Sequence, residues 1–197
     1  MALSRNVERF AEAFRTGDAA GIQDACEGVM RAWKDIDVIP LLALKEQLTK
    51  IGLEQRAAHL EEALISVAEK RPGPFLELAE DPGGRLWRSA VEVVSMSGEP
   101  AFFDVLVRQA ATCRKKSLPD IIAALGRYGG RSVEALSGYL ENDDDGIFHD
   151  AVLALKESGR EGQARLGEAL ERFRAEGSER ASVIEAVLSE SRKTRPG

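Results

Sequence analysis

The chain has 197 residues, of which 44% are hydrophobic and 30% charged, and a formal net charge of -6. That balance belongs to a folded polypeptide rather than a disordered one. Its 27 basic residues are interspersed with 33 acidic ones, without the basic excess of a protein that grips nucleic acid along its length.

Helical periodicity begins at once. Ser4 is placed to cap a first helix carrying Val7, Phe10, Ala11 and Phe14, which ends at Gly17. Asp18 is placed to cap a second, in which Ile22, Cys26, Val29, Met30 and Trp33 recur at spacings of three and four. A third helix starts near Asp37, admits Pro40 in its first turn, and runs through Leu44 and Leu48 to Ile51, before Gly52. A fourth carries Ala57, Leu60, Ala63, Leu64 and Val67 and stops at Pro72-Gly73-Pro74, because proline has no amide donor and clashes with the preceding turn.

The second half is more regular. Ala90, Val91 and Val94 lead to Gly98, then Ile121, Ile122 and Leu125 to Gly129, then Ala151, Val152 and Leu155 to Gly159. The glycines stand 31 and 30 residues apart and suit helix ends that enter the left-handed conformation. A shift of 61 residues lays Phe75 on Leu136, Leu78 on Tyr139, Ala79 on Leu140 and Ser97-Gly98 on Ser158-Gly159. The return helices carry Phe102, Phe103, Val105 and Leu106, then Val133, Leu136 and Leu140, then Ala164, Leu166, Ala169, Leu170 and Phe173. One such pair cannot bury both apolar faces, so the pairs must stack. A last helix spans Ser178 to Leu188, with Ala181, Val183, Ile184 and Val187 inward, and a short basic tail follows over residues 191–197.

Two stretches carry a family resemblance. One is Leu76-Glu77-Leu78-Ala79-Glu80-Asp81-Pro82 followed by Leu86, Arg88, Ala90, Val91 and Val94. The other is Leu140-Glu141-Asn142-Asp143 leading to Ile147, Ala151, Val152 and Leu155. On these residues the segment from about 74 to 173 resembles HEAT-like helical repeats of the short bacterial, armadillo/HEAT type. The resemblance implies an all-α, α-α superhelix of stacked antiparallel helix pairs, with about 11–12 helices over the chain. The middle joint, Cys113-Arg114-Lys115-Lys116-Ser117-Leu118-Pro119, departs from the pattern in being long and basic. Residues 4–70 fall outside the register, since Gly52 precedes Gly98 by 46 residues. The expected organisation is a helical bundle or degenerate repeats over residues 1–71, a repeat region over 72–190 and the tail, within one continuous domain.

Catalytic chemistry finds little purchase. His59 and His149 are the only histidines, and no zinc spacing, phosphate loop, nucleophile elbow or HExxH pattern is present. No catalytic residue, metal site or cofactor is therefore assigned. Asp143, Asp144 and Asp145 lack the alternating ligands of a calcium loop. They suit a helix start, where carboxylates complement exposed amides, or an acidic patch facing a partner. Arg108, Arg114, Lys115, Lys116, Arg127 and Arg131 would meet phosphates if they converged on one edge. Trp87 and Arg88 are residue types common at binding hot spots, although burial is the usual use of a tryptophan in an apolar helix.

The longest apolar run, Val38 to Leu44, is far short of the roughly 20 residues that span a bilayer. Charged residues near the N-terminus and two unpatterned cysteines give a cytoplasmic, non-membrane expectation. The expected function is a non-enzymatic scaffold or adaptor that binds a protein partner. A HEAT-like nucleic-acid-binding or DNA-repair protein using the basic joint is the alternative, and an assembly subunit of a larger complex a third.

Overall fold

The structure is a computed structural model that describes residues 5–193. Ser4 and Thr194–Gly197 of the expected tail lie outside the described residues. Among the described residues there are twelve α-helices and no strand. The helices are α1 (Arg5–Thr16), α2 (Ala19–Arg31), α3 (Val38–Lys50), α4 (Glu54–Lys70), α5 (Gly73–Ala79) and α6 (Trp87–Ser97). They continue as α7 (Pro100–Thr112), α8 (Leu118–Gly126), α9 (Val133–Ser137), α10 (Asp145–Glu157), α11 (Arg160–Ala175) and α12 (Arg180–Lys193). No described helix is long and apolar enough to cross a membrane.

The chain divides into two compact units, residues 1–102 and 103–197. In the first, α2 packs on α4 and α4 on α6, while α1 packs on α3. In the second, α8 packs on α10 and α10 on α12, while α9 packs on α11. Packing between alternate helices, joined by short connections, is what antiparallel pairs give when they stack in two layers. Each unit is therefore a stack of helix pairs, the fold class expected from the sequence.

The apolar periodicity picks out the interior well. Phe14, Val29, Leu41, Leu48, Leu60, Leu64 and Val67 are fully buried in the first unit, and Ile121, Leu125, Val152, Leu155 and Leu166 in the second. Asp18 caps α2 as expected, accepting from the Gly21 amide, and Asp37, near which a helix start was expected, caps α3 by accepting from the Ile39 amide. Two expectations need correction. Ala164 is exposed, because the buried stripe of α11 runs through Leu166, Ala169 and Phe173. The middle return helix is not continuous: α9 has five residues and lies between 3-10 turns at Gly129–Ser132 and Gly138–Glu141. Glycines at 129, 130 and 138 weaken the α-conformation there, yet Leu136 and Leu140 remain buried.

The first four helices show correspondences with the last four. Asp18 and Asp144, Gly52 and Gly177, and Arg56 and Arg180 stand 126, 125 and 124 residues apart, which is four periods of about 31. Over that offset α1–α4 repeats as α9–α12. Both aspartates cap the second helix of the module. Both glycines end the third with positive φ, 78° and 67°. The hydrogen bonds around them correspond too: Leu53 N–H donates to Leu48 O and Ser178 N–H to Phe173 O, each at 2.9 Å. Arg56 Nη1 donates to the carbonyls of Phe14 (3.2 Å) and Arg15 (2.6 Å) at the end of α1. Arg180 Nη1 and Nη2 donate to those of Leu140 (3.2 Å) and Asn142 (2.6 Å) beyond α9. Gly52 ends α3, which packs beside α1, whereas Gly98 ends α6, which packs on α4, and Gly159 ends α10, which packs on α8 and α12. The 46-residue gap compared non-equivalent positions.

A methyl group at Gly52 or Gly177 would meet no atom within 4 Å, so only backbone conformation opposes it. Gly52→Ala and Gly177→Ala should each cost about 1–2 kcal/mol, and Leu155→Ala, in the fully buried stripe of α10, about 2–5 kcal/mol. Urea unfolding monitored by circular dichroism reads all three. An unchanged midpoint for Leu155→Ala would show that the interior face of α10 is misassigned.

Candidate functional site

The basic and acidic candidates of the second unit turn out to be parts of one charged edge. Lys115 lies in a 3-10 turn just before α8, and Asp144 immediately precedes α10. Because α8 and α10 stack, their leading joints are neighbours, and the Lys115 ammonium is hydrogen-bonded to the Asp144 carboxylate. The same carboxylate caps α10 by accepting from Gly146 N–H (2.9 Å) and Ile147 N–H (3.1 Å). The Lys115 hydrogen bond, followed by the Ile147 amide, holds the Asp144 carboxyl below the usual aspartate value. On its other side the joint meets Arg180, whose guanidinium lies 3.6 Å from Asp145 and stacks over the Phe148 ring at 4.8 Å. The acidic joint is flanked by cations from its own fold.

Arg127 and Arg131 do not gather there. They follow the far end of α8, a nine-residue helix that advances roughly 13 Å along its axis. Arg131 is 3.1 Å from the Asp104 carboxylate and lies over the Phe103 ring at 4.1 Å, itself edge-on to Tyr128. Arg108, Arg114, Lys116 and Asp143 are exposed. Trp87 and Arg88 belong to the first unit. The indole of Trp87 is buried and donates to the Ala79 carbonyl at 3.0 Å, so it closes the α5–α6 corner, where it also lines a surface groove, while Arg88 is exposed.

Neither histidine has a metal-binding setting: no group of three or more His, Cys, Asp or Glu side chains among the described residues is placed to hold an ion. Asp150 is half-buried, and burial is the main force raising its carboxyl above the usual value, with Asp120 and Asp144 adding to it. Cys26 and Cys113 are free thiols, each pushed up chiefly by burial, which keeps them protonated and unreactive.

Three arrangements escaped the sequence reading. Arg56 and Arg180 are anchors of the fold, and their signal was available: a basic residue in a helix's first turn opposes the helix dipole, so it is there for another partner. Lys45 is 7% exposed and held by the carboxylates of Glu61 and Glu92, while Ser89 Oγ donates to Glu46 at 2.9 Å. This network ties α3 to α4 and α6. Nothing in the local pattern separates Lys45 from an ordinary surface lysine. The third is a pair of surface grooves. In the second unit a groove of about 210 Å³ between α9 and α11 is lined by Ser137, Glu141, Arg165, Glu168 and Arg172. In the first, a groove of about 360 Å³ lies between Ile39 and Ala43 of α3 and the α5–α6 corner at Glu77, Leu78, Asp81, Arg85 and Leu86.

No protein-family model matches the chain, and no curated protein matches it.

Replacing Lys115 with methionine should raise the Asp144 pKa toward the ordinary carboxylate value, as read by carboxyl-carbon NMR titration. The sign follows from the depressed pKa: the Asp144 contribution is present above its unfolded value and is lost as pH falls through the lower folded one. Lys115→Met should therefore lose the Asp144 cap at a higher pH than the parent chain. Coincident titrations would remove Lys115 as the cause.

Proposed function

We propose that the chain is a non-catalytic, protein-binding scaffold built of HEAT-like repeats. The helix-pair stacks and the positive φ of Gly98, Gly129 and Gly159 at a common spacing support the repeat assignment. The observation that carries the binding reading is the disposition of charge and apolar surface. Two of the second unit's cations are held by internal partners at opposite ends of α8, Lys115 by Asp144 and Arg131 by Asp104. Large aliphatic side chains meanwhile stand in solvent, with Ile39 51%, Ile51 66% and Met96 47% exposed. Such residues cost little on the rigid helices of a stack, and they gain by being covered. A cytoplasmic setting agrees with two free thiols.

A nucleic-acid role needs cations that converge and remain available to phosphates. Arg127 and Arg131 stand a helix length from Lys115, and Lys115 and Arg131 are paired with aspartates, which weighs against that role. Titration of the full chain with labelled duplex and single-stranded DNA between about 50 and 200 mM salt separates the readings. Protein binding predicts dissociation constants no tighter than the nonspecific range of about 10⁻⁴ to 10⁻⁶ M at physiological salt. A tighter complex that weakens steeply with salt, and that Lys116→Ala and Arg114→Ala together diminish, would favour the nucleic-acid reading instead.

A further inference from the structure

The two grooves lie between successive helices of corresponding layers, and the chain treats them in opposite ways. Across the second-unit groove Arg172 pairs with Glu141, and Arg165, which pairs with Glu168 on its own helix, donates to Ser137 Oγ at 3.1 Å. That is how a groove meant for water is finished: long charged side chains bridge it and cover its floor. The first-unit groove has no such bridge. Ile39 stands at its mouth half in solvent, although Val38, Leu41 and Leu42 beside it are buried. Ala43, Leu78 and Leu86 supply the floor. Glu77 and Arg85 are exposed, and neither enters an ion pair among the described residues. Asp81 accepts from Gly83 N–H at 3.0 Å, which fixes its carboxylate on the wall.

We propose that this first-unit groove is the seat of a short cationic segment of a protein partner, presenting one bulky aliphatic side chain flanked by lysine or arginine. The proposal rests on the protein-binding reading and specifies its site and its partner. The aliphatic side chain would cover Ile39 and fill the floor. The groove's size suits one or two side chains rather than a whole helix. The flanking cations follow from charge: of the residues that line the groove, Glu77 and Asp81 are acidic and Arg85 is basic, so the wall has a net negative charge to match. An acidic segment would meet repulsion there, and a purely apolar one would leave Glu77 partly desolvated and unpaired.

The test is selection of a random short-peptide display library on the full chain, followed by affinity measurement of the enriched peptides by fluorescence anisotropy. The expected peptides carry Leu, Ile, Met or Phe beside Lys or Arg. Their affinity should fall about tenfold or more on Ile39→Asp and on Glu77→Lys, and stay unchanged on Glu168→Lys in the other groove. All three positions are exposed, and unchanged thermal midpoints would confirm that the variants fold. Enriched peptides that are acidic or uncharged overturn the partner chemistry. Peptides that bind Ile39→Asp as tightly as the parent overturn the site while leaving a protein-binding role intact. A selection that enriches nothing overturns the seat itself, and the DNA titration then decides separately whether a protein-binding role survives.

Discussion

A helix ends with carbonyl groups that have no amide to receive, and a stack of short helices has many such ends close together. How those carbonyls are satisfied governs the rest of this structure. At Gly52 and Gly177 the chain turns into the left-handed region and its own amides fold back onto the last turn of the helix. At the end of α1, and at the 3-10 turn that follows α9, a guanidinium arrives from the helix three elements later, Arg56 in one module and Arg180 in the other. The planar fork can serve two carbonyls at once, which a lysine ammonium does less well. An arginine that reaches from the fourth helix of a module to the first fixes the spacing of the layers between them. Arg71 makes a comparable tie to the carbonyls of Trp33 and Lys34 after α2.

With the layers fixed, the leading joints of stacked helices fall side by side, and their charges meet. The basic turn at Lys115 and the acidic joint at Asp144 look like two opposite binding patches when read along the chain, yet in space they are one ion pair. Arg180 serves both purposes, since the cation that closes the turn after α9 also lies beside Asp145 and over Phe148. Charge spent inside the fold in this way is withdrawn from recognition. Apolar surface also remains that the layers do not cover, at Ile51, Ile39 and Met96.

Most of the helical architecture was legible in the sequence because burial imposes a period on it. Asp18 was readable as a cap, Asp37 as the start of a helix, and Val152 and Leu155 as interior, from spacing alone. The repeat in residues 4–70 was harder to see because Gly52 and Gly98 end helices of different layers, and only a four-period offset brings Gly52 onto Gly177. The broken return helix at α9 could have been anticipated from its glycines, whereas the exposure of Ala164 depended on the choice between two adjacent stripes of α11. The candidate site was less legible. Lys115 and Asp144 are 29 residues apart, and their pairing depends on how two helices stack. The groove at Ile39 brings together α3 and the α5–α6 corner, and no local pattern distinguishes its exposed isoleucine from the buried Val38 that precedes it.

The equivalence of α1–α4 and α9–α12 is tested most directly by denaturant unfolding of Arg56→Ala and Arg180→Ala beside Arg174→Ala, whose arginine pairs on the surface with Glu171 and Glu185. Hydrogen bonds from a charged donor contribute about 1.5–3 kcal/mol, so the first two variants should lose comparable stability on that scale. Arg174→Ala should lose no more than about 1 kcal/mol. A loss for Arg56→Ala or Arg180→Ala no larger than that of Arg174→Ala, or a large loss in only one of the two, would contradict the common construction of the modules.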